Sequence, residues 1–260
     1  MRKEKGKHIK KNKLQLLCIV IFILSVIYIT YYFYNLYITK QRNENIFDNI
    51  EIPIVEVTPQ KTERMLQLEE LQKENTDIIG WVEIEGTDIN YPVLQGTDNS
   101  YYMTHNYKKE YTKDGSIFLD KDYNLEIPST NLLIYGHNNK NGTMFQSLEK
   151  YKKEEYYKEH PTIRFTALNE DAEYEIIAVF LSRVYYKNET NVFRYYFFIN
   201  AENKEEFDYY INESKKASIY DTGKTAEYGT QLLTLSTCTY HVEDGRLVIV
   251  AKKKQLEKFL

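Results

Sequence analysis

The most constraining feature of this sequence is an uncharged apolar segment near its amino terminus. Residues 14–39 read LQLLCIVIFILSVIYITYYFYNLYIT, 26 residues without a charged side chain. As a helix rising about 1.5 Å per residue, the segment would reach roughly 39 Å, more than the ~30 Å hydrocarbon core of a bilayer requires. The segment therefore predicts a transmembrane helix ahead of the domain that follows it.

The residues that flank this segment predict its orientation. Residues 1–13 carry seven Lys or Arg against one Glu, a net charge of +6. Basic flanks stay in the cytoplasm, so residues 1–13 are predicted to form a cytoplasmic tail and the chain after residue 39 to be extracellular. The sequence thus predicts a single-pass protein of the cell membrane. Aromatic rings suited to the headgroup level lie at the outer end: Tyr31, Tyr32, Phe33, Tyr34 and Tyr37.

Two other interpretations of residues 14–39 fit less well. A cleaved signal peptide needs a shorter apolar core and a small-residue cleavage site, and this segment contains no Ala or Gly. A buried helix of a soluble core would be unusually long. We therefore expect an uncleaved membrane anchor.

The charge of the remaining chain argues against nucleic acid as a partner. Residues 14–260 hold 27 basic and 37 acidic residues, a net charge of −10. An acidic surface repels phosphate backbones, and the sequence has no basic stripe interleaved with aromatic residues. The acidic clusters fall on predicted helices, where solvated faces are the default, so we predict no metal site and no cofactor.

Two regions follow the anchor. Residues 40–77 are predicted to form a juxtamembrane spacer and a helix over 59–73, with Thr58 as its N-cap and Pro59 at its first position. Residues 78–260 are predicted to form the extracytoplasmic domain. Their short segments are apolar or alternating, rich in Ile, Val, Tyr and Phe, and mostly bounded by turn-forming residues.

These short segments predict the fold of residues 78–260. Eight of them within about 180 residues favour a mainly β (α+β) domain, a single closed or nearly closed barrel with peripheral helices over 143–158 and 201–216. The predicted strands are 78–86, 89–96, 115–120, 131–136, 162–166, 174–186, 231–238 and 246–253.

The extracytoplasmic domain has a single cysteine, Cys238, because Cys18 lies inside the apolar segment. Outside the cell a lone thiol tends to be oxidised or cross-linked, so its presence needs a reason. It is either a buried, inert thiol or a nucleophile. The predicted strand 231–238 ends in Ser236, Thr237 and Cys238, which indicates a thiol at the rim of a sheet.

A reactive thiol needs a proton acceptor nearby, and the domain offers four histidines. His137 directly follows the predicted strand 131–136, and we expect Gly136 to allow a sharp turn there. This predicts an imidazole in a loop at a strand end. The others are expected to be a structural His105, a helix-end His160 and a solvated loop His241.

Attack on a carbonyl also requires a group that stabilises the oxyanion. Arg246 opens a predicted strand directly after the turn Glu243-Asp-Gly, so the strands that carry Cys238 and Arg246 are predicted to be antiparallel neighbours. A guanidinium stays charged and donates in a fork. The alternative is a surface ion pair of Arg246 with Glu243 or Asp244, and the spacing alone does not separate the two.

Several ordered blocks resemble the sortase family. The stretch STCTY, followed by DGRLVIVAK, resembles the sortase signature around the nucleophile and its arginine, and TLSTC is the form typical of class B. YGH at residues 135–137 is similar to the family's histidine block. Further similar blocks are IGWVEIEGT (79–87), YPVLQG (91–96), GSIFLD (115–120), NGTMF (141–145) and the helical insertion at 201–216.

The resemblance implies an eight-stranded sortase barrel and a membrane-anchored cysteine transpeptidase. Cys238 would be the nucleophile, His137 the general acid and base, and Arg246 the group that holds the substrate and stabilises the oxyanion. The enzyme would cleave a C-terminal sorting signal of secreted proteins after Thr. It would transfer the protein through a thioester to an amine of peptidoglycan or lipid II. The substrate groove would include Asn99, Tyr135, Ser236 and Thr237.

Two alternatives remain beside this interpretation. The first is another wall-acting cysteine enzyme, although an L,D-transpeptidase has a Ser-His-Gly-Cys block and papain-like peptidases place Cys before His. The second is a non-catalytic surface-binding barrel with an inert Cys238. Reactivity of the folded thiol distinguishes a nucleophile from an inert one.

Overall fold

The computed structural model describes residues 19–41 and 61–255, which belong to two compact units. In the first unit, helix α1 (Ile19–Gln41) is long and apolar enough to cross a membrane by its length and composition. Residues 1–18 lie outside the described residues, and so do Thr58 and Pro59, the predicted helix start. The orientation of α1 thus stays a prediction.

Within residues 61–255 the eight predicted strands are present and form a closed barrel, which confirms the predicted fold. The strands are β1 (Ile78–Glu83), β2 (Asn90–Leu94), β3 (Ile117–Leu119), β4 (Asn131–Gly136), β5 (Thr162–Ala167), β6 (Asp171–Arg183), β7 (Leu232–Cys238) and β8 (Gly245–Lys253). Around the barrel their order is β1-β2-β3-β4-β7-β8-β6-β5, and β5 pairs with β1 to close it. The pairs β2/β3 and β4/β7 are parallel.

Two helices of the second unit begin later than predicted, because the residues that cap them lie further along the chain. Helix α2 (Glu63–Glu74) begins after Thr62, whose hydroxyl accepts a hydrogen bond from the backbone N–H of Met65, so residues 61 and 62 are not helical as predicted. Helix α4 (Lys204–Ala217) begins after Asn203, which caps it through the N–H of Glu206. The predicted start at residue 201 was three residues early.

The predicted helix over 143–158 is wrong as a single element. A 3₁₀ helix, Gln146–Lys152, is followed by the short helix α3 (Glu154–Glu159), and Lys153 between them is extended, with φ −105° and ψ 127°. An extended residue cannot continue the i to i−4 hydrogen bonds of one helix. Two further 3₁₀ helices, Tyr101–Met103 and Tyr195–Phe197, lie in loops that reach the candidate site.

Helix α4 covers one side of the barrel with the face that the sequence indicates. Phe207, Tyr210 and Ile211 are buried where α4 packs on β6, in an apolar cluster that also includes residues of β8. The same apolar cluster contains Tyr195, and Phe198 stacks on Tyr210 with ring centroids 4.1 Å apart. The packing of α4 therefore fixes the 3₁₀ helix Tyr195–Phe197 beside the barrel.

Gly136 has a different role from the expected turn. It is the last paired residue of β4, opposite Thr237 of β7. A Cβ atom at this position would lie 2.4 Å from Cδ1 of Ile117 and 2.6 Å from Cδ2 of Phe145. The position excludes a side chain because the neighbouring core occupies the space.

We expect Gly136→Ala to destabilise the domain by about 1–3 kcal/mol, the usual cost of overpacking a tight core. Thermal and denaturant unfolding of the detergent-solubilised chain would measure the change. Gly96→Ala is the matched control, because a Cβ there would meet Asp98 and Tyr102 at an ordinary 3.4 Å. Equal stability of the two variants would contradict this account of Gly136.

Candidate active site

The parallel pairing of β4 with β7 brings two distant parts of the chain to one edge of the barrel. Tyr135 pairs with Ser236 and Gly136 with Thr237. The next residues in this register are His137 and Cys238, so the candidate acid–base group and the candidate nucleophile leave the same edge on neighbouring strands. The strand-end positions predicted for both residues are confirmed.

The antiparallel pairing of β7 with β8 adds Arg246, whose Cα is the register partner of Cys238. Its Nη1 donates to the backbone carbonyls of Asp244 at 3.1 Å and Gly245 at 3.0 Å. Within residues 61–255, ion pairs of Arg246 with Glu243 or Asp244 are absent. The guanidinium is therefore held by backbone oxygens and keeps its positive charge uncompensated by a bound carboxylate.

These three side chains line one cleft of about 240 Å³. Cys238 is half-buried and unpaired, at the edge of the barrel rather than in its interior. Two larger cavities, of about 480 and 710 Å³, contain none of the candidate site residues. The structure brings all seven residues selected from the sequence into the cleft: Asn99, Tyr135, His137, Ser236, Thr237, Cys238 and Arg246.

A backbone carbonyl determines the proton position on His137. Its Nε2 lies 2.7 Å from the carbonyl oxygen of Met103, the last residue of the 3₁₀ helix Tyr101–Met103. A carbonyl oxygen only accepts hydrogen bonds, so Nε2 carries a proton in this contact. The nitrogen of the neutral ring that can accept a proton is then Nδ1.

The hydroxyls of Ser236 and Thr237 both have partners within the protein. Thr237 is buried, and its Oγ1 donates to the carbonyl oxygen of Gly136 at 2.8 Å, which ties β7 to β4 at the cleft. Ser236 Oγ and the hydroxyl of Tyr195 are 2.8 Å apart. Burial raises the pKa of Tyr195, so its hydroxyl keeps its proton near neutral pH. Tyr195 was missed at the sequence level because its loop carries no recognisable motif.

Two further residues, which the sequence did not predict, hold residues of the cleft in place through hydrogen bonds. Asn138 donates through Nδ2 to the carbonyl oxygen of Cys238 at 2.8 Å and fixes the last peptide of β7. Asp120 is buried and accepts hydrogen bonds from Asn99 and Tyr135. Asp120 ends the block GSIFLD, and that position was the one signal in the sequence that could have identified it.

The remaining described histidines lie outside the cleft, as expected. His105 stacks on Tyr101 with ring centroids 4.0 Å apart, His160 is the C-cap of α3, and His241 is an exposed loop residue. Of the described histidines, His137 alone lines the cleft with Cys238, so it is the candidate acid–base group.

Comparison with known proteins agrees with this architecture. A sequence model of the sortase domain matches residues 82–254. The chain belongs to the sortase family. Sortase B of Listeria monocytogenes is 38% identical over 188 residues, 72% of this chain and 73% of that protein.

Solved sortase structures share the fold. Sortase B from B. anthracis matches with a TM-score of 0.72 at 30% identity, covering 85% of this chain and 100% of that chain. The Staphylococcus aureus sortase B–substrate complex matches with a TM-score of 0.64 at 27% identity, covering 84% of this chain and 92% of that chain. The chain is thus a class B sortase, a cysteine transpeptidase.

The pH dependence of stability provides a test of the surroundings of His241. Partial burial and the cation of Lys152 lower the pKa of His241 below its ordinary 6.5, and Glu149 opposes them. The unfolded chain then binds more protons just below pH 6.5, so the free energy of unfolding should fall as pH decreases through 6.5.

His241→Gln should remove this contribution and flatten the curve between neutral pH and the lowered pKa. Denaturant midpoints of both proteins across this pH range would measure it. A steeper acid loss in the variant would contradict the assignment.

Proposed function

We propose that this sortase cleaves the C-terminal sorting signal of secreted proteins after Thr and transfers them, through a thioester on Cys238, to an amine of peptidoglycan or lipid II. The observation that carries the proposal is the common edge of β4, β7 and β8, where His137, Cys238 and Arg246 line one cleft. A sulfur nucleophile, an imidazole and a fixed cation are the groups that acyl transfer requires.

In the proposed first half-reaction, the Sγ proton of Cys238 passes to Nδ1 of His137, since Nε2 is engaged by the carbonyl of Met103. Sγ attacks the carbonyl carbon of the Thr, and Arg246 stabilises the negative charge that develops on its oxygen. As the C–N bond breaks, Nδ1–H protonates the leaving amine. The products are a Cys238 thioester and the free C-terminal fragment of the signal.

In the second half-reaction the amine of the wall peptide attacks the thioester carbonyl. Nδ1 of His137 takes a proton from this amine, and the C–S bond breaks as the new amide bond forms. The proton then returns to the sulfur of Cys238. Arg246 stabilises the negative charge on the carbonyl oxygen in this step as in the first, so the same three groups carry out both half-reactions.

The proposed membrane attachment follows from α1 and the basic residues before it. With residues 1–13 in the cytoplasm and 14–39 in the bilayer, residues 40–77 would connect the anchor to a catalytic domain, residues 78–260, at the outer face. Tethering raises the local concentration of the enzyme where secreted clients emerge. Asn99, Tyr135, Ser236 and Thr237 would contact or shape the groove that receives the signal.

We expect Cys238→Ala to abolish cleavage of a sorting-signal peptide and His137→Ala to lower its rate by about 10²–10⁴-fold, the range of general acid–base catalysis. Products of a signal-peptide library would be measured by mass spectrometry. His241→Ala, a histidine outside the cleft, is the control and should keep the wild-type rate.

Iodoacetamide should label Cys238 in the folded protein, and His137→Ala should slow that labelling. A thiol that reacts only after denaturation would identify a non-catalytic barrel and refute the proposal.

Arg246→Lys should lower kcat by about 100-fold, because a single ammonium cannot reproduce the fork of the guanidinium. Steady-state kinetics with the same peptide would separate this loss from a change in KM. Arg183→Lys, which alters an arginine that pairs with Glu189 and does not line the cleft, is the matched control. Full turnover by Arg246→Lys would remove the oxyanion role from Arg246.

A further inference from the structure

A buried carboxylate beneath the cleft takes no part in the reaction above. Asp120 directly follows β3 and is 4% exposed. Its Oδ2 accepts from Nδ2 of Asn99 at 2.9 Å and from the hydroxyl of Tyr135 at 2.8 Å, and its Oδ1 accepts from the backbone N–H of Asp122 at 2.9 Å. A carboxylate is costly to bury unless such donors compensate it.

These bonds decide which atoms of Asn99 remain for a ligand. Its Oδ1 accepts from the backbone N–H of Lys121 at 2.8 Å, and one hydrogen of Nδ2 goes to Asp120. The carboxylate can only accept and the backbone N–H can only donate, so the orientation of the amide is fixed. The second hydrogen of Nδ2 is left, and Asn99 can act toward the cleft as a hydrogen-bond donor.

Tyr135 is restricted in the opposite sense. Its hydrogen is donated to Asp120, so its oxygen can act toward the cleft as an acceptor. Burial and the charge of Asp120 raise the pKa of Tyr135, which keeps the hydroxyl protonated at physiological pH. Both residues line the cleft that contains Cys238.

We propose that Asp120 is a positioning residue that fixes Asn99 as a donor and Tyr135 as an acceptor. Asn99 would then bind a carbonyl oxygen, and Tyr135 an N–H, of an extended peptide main chain in the cleft. The inference rests on the proposed function, because the peptide is the sorting signal. In this inference one buried carboxylate decides whether each of two groups, the amide of Asn99 and the hydroxyl of Tyr135, donates or accepts a hydrogen bond in the cleft.

Asp120→Ala tests the proposal. Alanine has no side-chain acceptor, so the amide of Asn99 and the hydroxyl of Tyr135 both lose the group that fixes their hydrogen-bond roles. Asp122→Ala is the matched control, because the side chain of Asp122 is 65% exposed and pairs with Lys121 outside the cleft.

The dissociation constant of a fluorescent Thr-containing signal peptide, measured on the detergent-solubilised Cys238→Ala chain, is the first readout. Adding Asp120→Ala should raise it at least tenfold, whereas Asp122→Ala should leave it within twofold. In the presence of Cys238, Asp120→Ala should raise KM with kcat within threefold, and should leave the rate of alkylation by iodoacetamide unchanged. An unchanged dissociation constant, or an equal loss in the control, would overturn the inference.

A second measurement avoids any change at Asp120. Replacing single amides of the peptide by esters removes one N–H at a time, and one such ester should weaken binding to the Cys238→Ala chain but not to Cys238→Ala with Tyr135→Phe. Equal weakening in both proteins at every position, or no binding at all, would overturn the inference. Failure of the proposed function has a different signature: the peptide binds, but the wild-type chain does not cleave it.

Discussion

The site depends on the parallel ladder between β4 and β7. Six residue pairs, from Asn131 opposite Leu232 to Gly136 opposite Thr237, set the register in which His137 and Cys238 follow as neighbours. A shift of one residue would turn every side chain of a strand to its other face. Because the proposed acid–base group and the proposed nucleophile follow different strands, a register error would separate them even in an intact barrel.

Buried polar contacts fix this register at both ends of the ladder. At the cleft, Thr237 donates to the carbonyl oxygen of Gly136, and at the other end Oγ1 of Thr234 donates to Oδ1 of Asn131 at 2.8 Å. The hydroxyl of Tyr210 from α4 lies 2.9 Å from the same Thr234 oxygen. Buried hydrogen bonds cost free energy when unmade, so an alternative register is disfavoured more strongly than apolar contacts alone would achieve.

Backbone groups, and not carboxylates, orient the imidazole and the guanidinium in the cleft. Backbone carbonyls hold both His137 and Arg246, so within residues 61–255 neither ring nor guanidinium is held by a carboxylate. The buried negative charge, Asp120, lies instead under Asn99 and Tyr135. The buried carboxylate of the cleft is therefore bound to Asn99 and Tyr135 and not to His137 or Arg246.

The sequence alone determined the features that depend on neighbouring residues. The apolar run 14–39, the eight strand segments and the strand-end placement of His137 and Cys238 follow from local periodicity and turn residues, and the turn before Arg246 made β7 and β8 neighbours. The resemblance to sortases supplied the residues of the groove. Helix bounds were less accurate, because capping by Thr62 and Asn203 outweighed the apolar pattern.

The tertiary structure decided what depends on residues far apart in the chain. The parallel pairing of β4 with β7, the space that excludes a side chain at Gly136 and the engagement of His137 by the carbonyl of Met103 have no local sequence signal. The same holds for Asp120, whose partners are its neighbours only after folding. Local patterns set which segments become strands, whereas long-range packing and hydrogen bonding decide which strands meet and which atoms are left to act.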